Sequence, residues 1–206
     1  MGNAERESDK PEPESLTPLL APLLALQNLI QVFDDQGVII GGVAASLLGT
    51  PRFTVDLDAV FLVSIRNVSD LLLEAERLGI EPRISDPISF ARRTRVLLLR
   101  HIPSGTDIDI SLGSLPFEVE MVERSIVVEV SSLKMRLPTP EDMIILKSVA
   151  HRPKDLEDIR AIAASHPDLD QERVRFWVEQ FGTDLNLPDL WDTIQNLLVS
   201  NGNINP

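Results

Sequence analysis

The sequence predicts a mixed α/β fold (an α+β arrangement) followed by an all-helical C-terminal part, and three observations carry that prediction. Between residues 38 and 138, short apolar or alternating strand patterns are interleaved with helical periods, as in a sheet flanked by helices. Beyond Pro138 the period is helical only. Hydrophobic residues make up 43% of the chain, enough for a real core. The expected division is a disordered tail over 1–14, an α/β core over 15–138, a helical region over 139–200 and a short tail over 201–206.

The elements follow in order. Residues 1–14 are polar and contain two prolines, so no core forms there. From Ser15 to Asp35 apolar residues recur at three- and four-residue spacing, predicting an amphipathic helix interrupted near Pro22 and ended by Gly37. VII (38–40) is a short strand, and Gly41–Gly42 lead into the helix VAASLLG. TPRF is a turn, and VDLDAVFLV is a strand of β-branched and apolar residues. NVSDLLLEAERLG is helical, with Asn67 or Ser69 as cap and Gly79 as stop. RVLLLRHI and TDIDISLG (106–113) form a strand pair joined by PSG. LPFEVEMVERS is a helix, and IVVEVSSLKMRLP supplies two short strands. The helical part opens with TPEDMIILKSVAHR, where Thr139 caps and Pro140 takes the first position. Pro153 opens PKDLEDIRAIAASH, and two helices follow, from Asp170 to Phe181 and from Leu187 to Val199.

Composition excludes several chemistries. The absence of cysteine removes disulfides, thiolate zinc sites and cysteine nucleophiles. The N-terminus lacks the apolar segment of a signal peptide, and no apolar run reaches the ~20 residues of a membrane helix. The expectation is a soluble cytoplasmic protein with no membrane role. With 32 acids against 19 bases the net charge is −13, which disfavours broad nucleic-acid binding through phosphates. The best basic stretch is ARRTRVLLLRH, with Arg92, Arg93, Arg95 and Arg100, read as a solvated helix end and strand. His101, His151 and His166 have no metal spacing and read as surface or loop residues, while Trp177 and Trp191 read as core.

One stretch resists a purely structural reading. Asp56 and Asp58 fall in an otherwise buried-looking strand, where residues i and i+2 share a face. Their Cα atoms would lie about 7 Å apart by strand rise, and two half-buried like charges repel unless a cation intervenes. Mg²⁺ (or Mn²⁺) suits such oxygen ligands and the phosphates of a substrate. The plain alternative is an exposed strand end with two wet acids. TDIDISLG brings a second pair, Asp107 and Asp109. Were the strands neighbours, Asp109, set between Ile108 and Ile110, would be the third metal ligand and Asp107 the fallback. Three convergent carboxylates suit a two-metal phosphoryl-transfer site. Gly41 and Gly42, between strand and helix, let backbone N–H groups meet a phosphate, although a tight turn would also use them.

The ordered set of GG, a short apolar helix, R-x-T-x-D-L-D and a later strand aspartate resembles the nucleotidyltransferase superfamily with the DNA polymerase β-like fold. Within it the chain resembles the bacterial AbiEii-type and related minimal nucleotidyltransferases, over roughly residues 38–165. LKSVAHRPKDLEDI is a second match, since such proteins carry a lysine in this helix and an R-x-K-D-x-x-D run after it. The resemblance implies an Mg²⁺-dependent enzyme that moves a nucleoside monophosphate from an NTP to an acceptor, tRNA or a small molecule, and releases pyrophosphate, in a toxin–antitoxin setting. It implies metal binding by Asp56, Asp58 and Asp109, and phosphate contacts from Gly41, Gly42 and Lys147.

Physical reading adds detail and alternatives. Lys147 lies among apolar helix residues and either snorkels to solvent or meets an anion. Arg52 and Thr54, in the loop before the metal strand, could touch phosphate oxygens, or could simply serve the turn. Asp155 and Asp158 suit the dipole of their own helix, and Asp158 could also hold Lys147 or Arg152 in place. The acidic composition leans towards a small or cationic acceptor over RNA. A non-catalytic, antitoxin-like binding protein is the alternative from another class, and phosphodiester hydrolysis is a third. The leucine-rich segment LLAPLLALQNLI could serve a protein partner or a homo-oligomer, or could pack on the sheet.

Overall fold

The computed structural model describes residues 14–199; of the predicted tails, 1–13 and 201–206 lie outside the described residues, and Glu14 already begins a 3₁₀ helix. A 3₁₀ helix, Glu14–Leu19, leads into α1, Leu20–Val32. The break falls at the junction of the two and not at Pro22. That proline sits in the first turn of α1, where its missing N–H has no carbonyl to meet. Gly37 does not end the helix either. Asp34 and Asp35 turn the chain through left-handed backbone at φ 53° and 58°, and Gly37 already begins β1, Gly37–Ile40. α1 buries Leu23, Leu26, Leu29 and Ile30 completely, so most of its leucine-rich face is core.

α2, Gly41–Leu48, starts directly on the glycine pair. β2, Leu57–Phe61, is shorter than predicted and leaves Asp56 just before the strand. α3, Val68–Arg77, ends at Leu78–Gly79 as expected and has Asn67 at its N-cap position, without a side-chain cap bond, while the Ser64 hydroxyl caps the 3₁₀ turn leading into it. Two further elements follow: β3, Ile80–Pro82, and α4, Pro87–Thr94. β4, Val96–His101, and β5, Thr106–Leu112, form the predicted hairpin. α5, Pro116–Glu123, precedes the hairpin of β6, Ile126–Val130, and β7, Leu133–Leu137.

The main sheet has the order β1-β2-β5-β4-β3. Its central pair, β2 and β5, is parallel, and every other neighbour is antiparallel. Strand alternation divides the sheet: Leu57, Ile108, Ile110, Leu97 and Leu99 are fully buried on one face. The other face carries Asp58, Asp107, Asp109 and Arg100. The register aligns Ile40 with Asp58, Asp58 with Asp109, and Asp109 with Leu98, and the Arg83 N–H bonds the Leu98 carbonyl at 3.0 Å. One row across the sheet therefore runs from the glycine pair through two acids to an arginine.

The C-terminal helices are α6, Pro140–Ala150, α7, Pro153–Ser165, α8, Gln171–Asp184, and α9, Leu190–Val199. α8 runs further than predicted, and α9 begins later because Leu187–Asp189 form a turn. α6 packs on α7 and α8, and α2 touches both α6 and α7, which brings these helices to the acid-bearing end of the sheet. Among the described residues no helix is long and apolar enough to cross a membrane.

Of the remaining side chains, His101 departs most from expectation. His101 is buried, its Nδ1 2.8 Å from the Ser104 hydroxyl, and burial lowers its pKa. His166 meets the Leu48 carbonyl through Nε2 at 2.8 Å, while His151 is exposed. Trp177 and Trp191 are only half-buried; Trp177 packs edge-on against Phe117 at 5.3 Å. In the basic stretch, Arg95 donates to the Leu112 carbonyl at 2.8 Å and Arg100 to Asp107 at 2.6 Å, leaving Arg92 and Arg93 exposed on the last turn of α4.

Candidate active site

Gly41 and Asp58 define the floor of the site. Gly41 has φ +68°, and a Cβ there would lie 2.0 Å from Asp58 Oδ2, so the carboxylate rests in the space that any other residue would fill. Gly42 is covered in turn by Thr54, whose Oγ1 lies 2.6 Å from where a Cβ would be. The loop bearing Thr54 is pinned by α2: the Ser46 hydroxyl donates to the Arg52 carbonyl at 3.1 Å. The glycine pair, the R-x-T loop and the first strand aspartates therefore meet at one place, the N-terminal ends of β2 and β5.

Asp58 is half-buried, Asp56 is exposed at the lip, and Asp109 sits beside Asp58 on the parallel strand. Burial pushes the Asp58 carboxyl above the usual carboxylate range, the neighbouring Asp109 and Asp56 add to the rise, and Lys147 and Arg152 oppose it. Burial also raises Asp109, against the pull of Arg83. Asp107 behaves oppositely. The Arg100 hydrogen bond holds it below its usual value, with help from Arg83. Asp107 is thus held as a structural ion-pair partner, chiefly by Arg100. Arg83, in the loop after β3, donates to Asp107 at 2.7 Å through Nη1 and to Asp109 through Nη2. Among the described residues no three acidic or histidine side chains are gathered tightly enough to hold a metal as they stand. Asp109 is turned to Arg83 instead.

Behind this row lies an ionic chain with a buried centre and an exposed end at Arg152. Lys147 neither snorkels nor lies free: its Nζ is 3.0 Å from Asp155 Oδ1 and 2.8 Å from Asp158 Oδ2. Arg52 grips Asp158 with two bonds, of 2.9 and 3.0 Å. Arg152 donates to Asp155 through its backbone N–H at 3.1 Å and its Nε at 2.6 Å. The order Arg52–Asp158–Lys147–Asp155–Arg152 ties the R-x-T loop, α6 and α7 together. With three cations and two anions it keeps one net positive charge beside Asp58. Burial alone would raise Asp155, but hydrogen bonds from Arg152 and Lys147 outweigh it and lower the pKa to about 2. Asp158 is lowered too, its burial outweighed by Arg52 and Lys147.

Sequence reasoning missed Arg83 entirely, and missed Asp155 as the carboxylate that shares Lys147. The signal available for Arg83 was indirect: Asp58, Asp107 and Asp109 on one sheet face need nearby positive charge.

The chain matches the family described as nucleotidyl transferase AbiEii toxin, type IV TA system, over residues 24–202. Among solved structures it is similar to the antibiotic-resistance factor ANT(2'')-Ia, at 16% identity and a TM-score of 0.52, with 80% of this chain and 93% of that one covered. That likeness shows a shared fold. An antigenic nucleotidyltransferase-like protein from Paracoccidioides brasiliensis aligns at 18% identity and a TM-score of 0.48, over 84% of this chain and 93% of the other. No curated protein matches the sequence. The family match takes in the glycine pair, the aspartates of β2 and β5 and the whole ionic chain, and so this protein belongs to the AbiEii nucleotidyltransferases, enzymes of toxin–antitoxin systems.

Proposed function

We propose that this enzyme transfers a nucleoside monophosphate from an NTP to an acceptor hydroxyl or phosphate, with Mg²⁺ or Mn²⁺ held by Asp56, Asp58 and Asp109. The observation that carries this reading is the in-register pair Asp58–Asp109 on parallel strands, facing a glycine pair whose Cβ space one of the carboxylates fills. The donor set suits such a cation: all the ligands are hard oxygens, and the two desolvated carboxylates gain from a shared positive charge. When bound, the cation would draw the phosphate oxygens to the carboxylates and offset charge on the departing pyrophosphate.

The chain's own residues do the rest. Backbone N–H groups at Gly41 and Gly42, at the start of α2, receive phosphate oxygens, with Arg52 and Thr54 at the rim. The acceptor oxygen attacks the α-phosphorus, the bond to the bridging oxygen breaks, and pyrophosphate carries the electron pair away. Asp109 takes the acceptor proton. Lys147, with Arg152 beside it, offsets the developing negative charge through the field that already reaches Asp58. Asp158 holds Lys147 and Arg52 in position. The acceptor is tRNA or a small molecule, and the protein works in the cytoplasm as a component of a toxin–antitoxin pair.

Incubation with α-³²P-labelled NTPs, Mg²⁺ and candidate acceptors tests the reading. Native protein should label an acceptor, and Asp58→Asn should lose at least about a hundredfold in rate, as expected when charge stabilisation at a transferring phosphoryl group is removed. Equal labelling by Asp58→Asn would refute the assignment. Release of free nucleotide without labelled acceptor would point to hydrolysis.

A further inference from the structure

We infer that Arg83 is an internal stand-in for the divalent cation: it neutralises Asp109 in the metal-free enzyme and must release that carboxylate for the cation to bind. The inference rests on the cation reading above and adds a residue to it. Arg83 spans two carboxylates with one guanidinium, Nη1 to Asp107 and Nη2 to Asp109. Its side chain is 26% exposed, so the pair is neither sealed in the core nor loose in solvent.

The surroundings make the exchange asymmetric. The Arg83 backbone is fixed by its bond to the Leu98 carbonyl, so any movement is confined to the side chain. Asp107 has a second partner, since Arg100 Nε lies 2.6 Å from its Oδ1. If Arg83 moves away, Asp107 stays paired. Asp109 has no other cation bonded to it among the described residues, and it faces Asp58 in register. Losing Arg83 therefore leaves Asp109 without a bonded cation beside a second carboxylate, and an incoming cation restores that pairing. The apparent metal affinity of the resting enzyme is lowered by the fraction of molecules in which Arg83 has already let go.

Mn²⁺ binding, followed by electron paramagnetic resonance, tests this with native protein, Arg83→Gln and Arg100→Gln, each with and without a non-hydrolysable NTP analogue. Without nucleotide, Arg83→Gln should bind Mn²⁺ about tenfold more tightly than native protein. Arg100→Gln, which removes an equal charge from Asp107 alone, should change binding no more than about twofold. Equal affinity for native and Arg83→Gln, or an equal gain in Arg100→Gln, overturns the inference. Absence of Mn²⁺ binding to native protein even with nucleotide, or binding that survives Asp58→Asn, overturns the cation reading and this inference with it. A second measurement uses native protein alone: labelling of Arg83 by phenylglyoxal, read by mass spectrometry, should rise severalfold in saturating Mn²⁺. Unchanged labelling counts against release of Arg83.

Discussion

Gly41 carries two separate demands, and they can be measured apart. Its φ of +68° is left-handed backbone, which costs an alanine about 1–2 kcal/mol. Its missing Cβ makes room for Asp58 Oδ2, which would otherwise be 2.0 Å away. Gly105, in the turn between β4 and β5, has a φ of +71° and nothing within 4 Å of its Cβ position. Both Gly41→Ala and Gly105→Ala should therefore lower thermal stability through the backbone. Only Gly41→Ala should also displace the Asp58 carboxylate, and a shift of about 1 Å at a reacting centre can cost about a hundredfold in rate. Single-turnover rates beside melting curves check the pair. A Gly105 variant that loses as much activity as the Gly41 variant would show that the loss comes from backbone strain and not from the carboxylate.

The corner between α6 and α7 shows how far local sequence carries and where it stops. Asp58 was legible as facing away from the buried Leu57 because strand alternation has period two, although Asp56 falls just before the strand. The helix starts at Thr139 and Pro153 were legible because they have local signatures. Whether β5 lies beside β2 with Asp109 opposite Asp58 is a matter of long-range pairing, which no local pattern encodes. Lys147 looked odd in an apolar helix, but its partners Asp155 and Asp158 come from the next helix and depend on how the two helices cross. Arg83 follows a strand of three residues, too short to show any period. The corner itself predicts a pH effect. Asp155 is fully buried with a pKa of about 2, below the unfolded value, so its pairing stabilises the fold above pH about 4. That stability, about 2 kcal/mol, is lost as pH falls from about 4 to about 2. Asp155→Asn should destabilise the protein by about 3 kcal/mol at pH 7, because Lys147 and Arg152 lose a shared buried carboxylate. In urea unfolding the gap between native protein and variant should narrow across that acid window. A constant gap would mean that Asp155 matters by packing and not by charge.

At the scale of the whole molecule, charge constrains the acceptor. The chain carries a net −13, yet its cations are not evenly spread. Arg52, Lys147 and Arg173 are committed to carboxylates inside the fold. The exposed basic residues include Arg152 and Lys154 at the start of α7, Arg92 and Arg93 on α4, and Arg100, which is paired with Asp107. A nucleic-acid acceptor would therefore be held by a small number of phosphate contacts beside a largely repulsive surface. Each neutralised phosphate contributes about −0.9 to the slope of log K against log salt on a duplex, so a handful of contacts predicts a slope no steeper than about −4. Fluorescence anisotropy of labelled tRNA between 50 and 200 mM salt measures it directly, and Lys154→Gln should make the slope shallower by about one unit. A slope near −8 would require a broad basic interface on this protein and would overturn this reading of its surface. No measurable tRNA binding at low salt, with transfer to a small molecule intact, would decide for the compact acceptor.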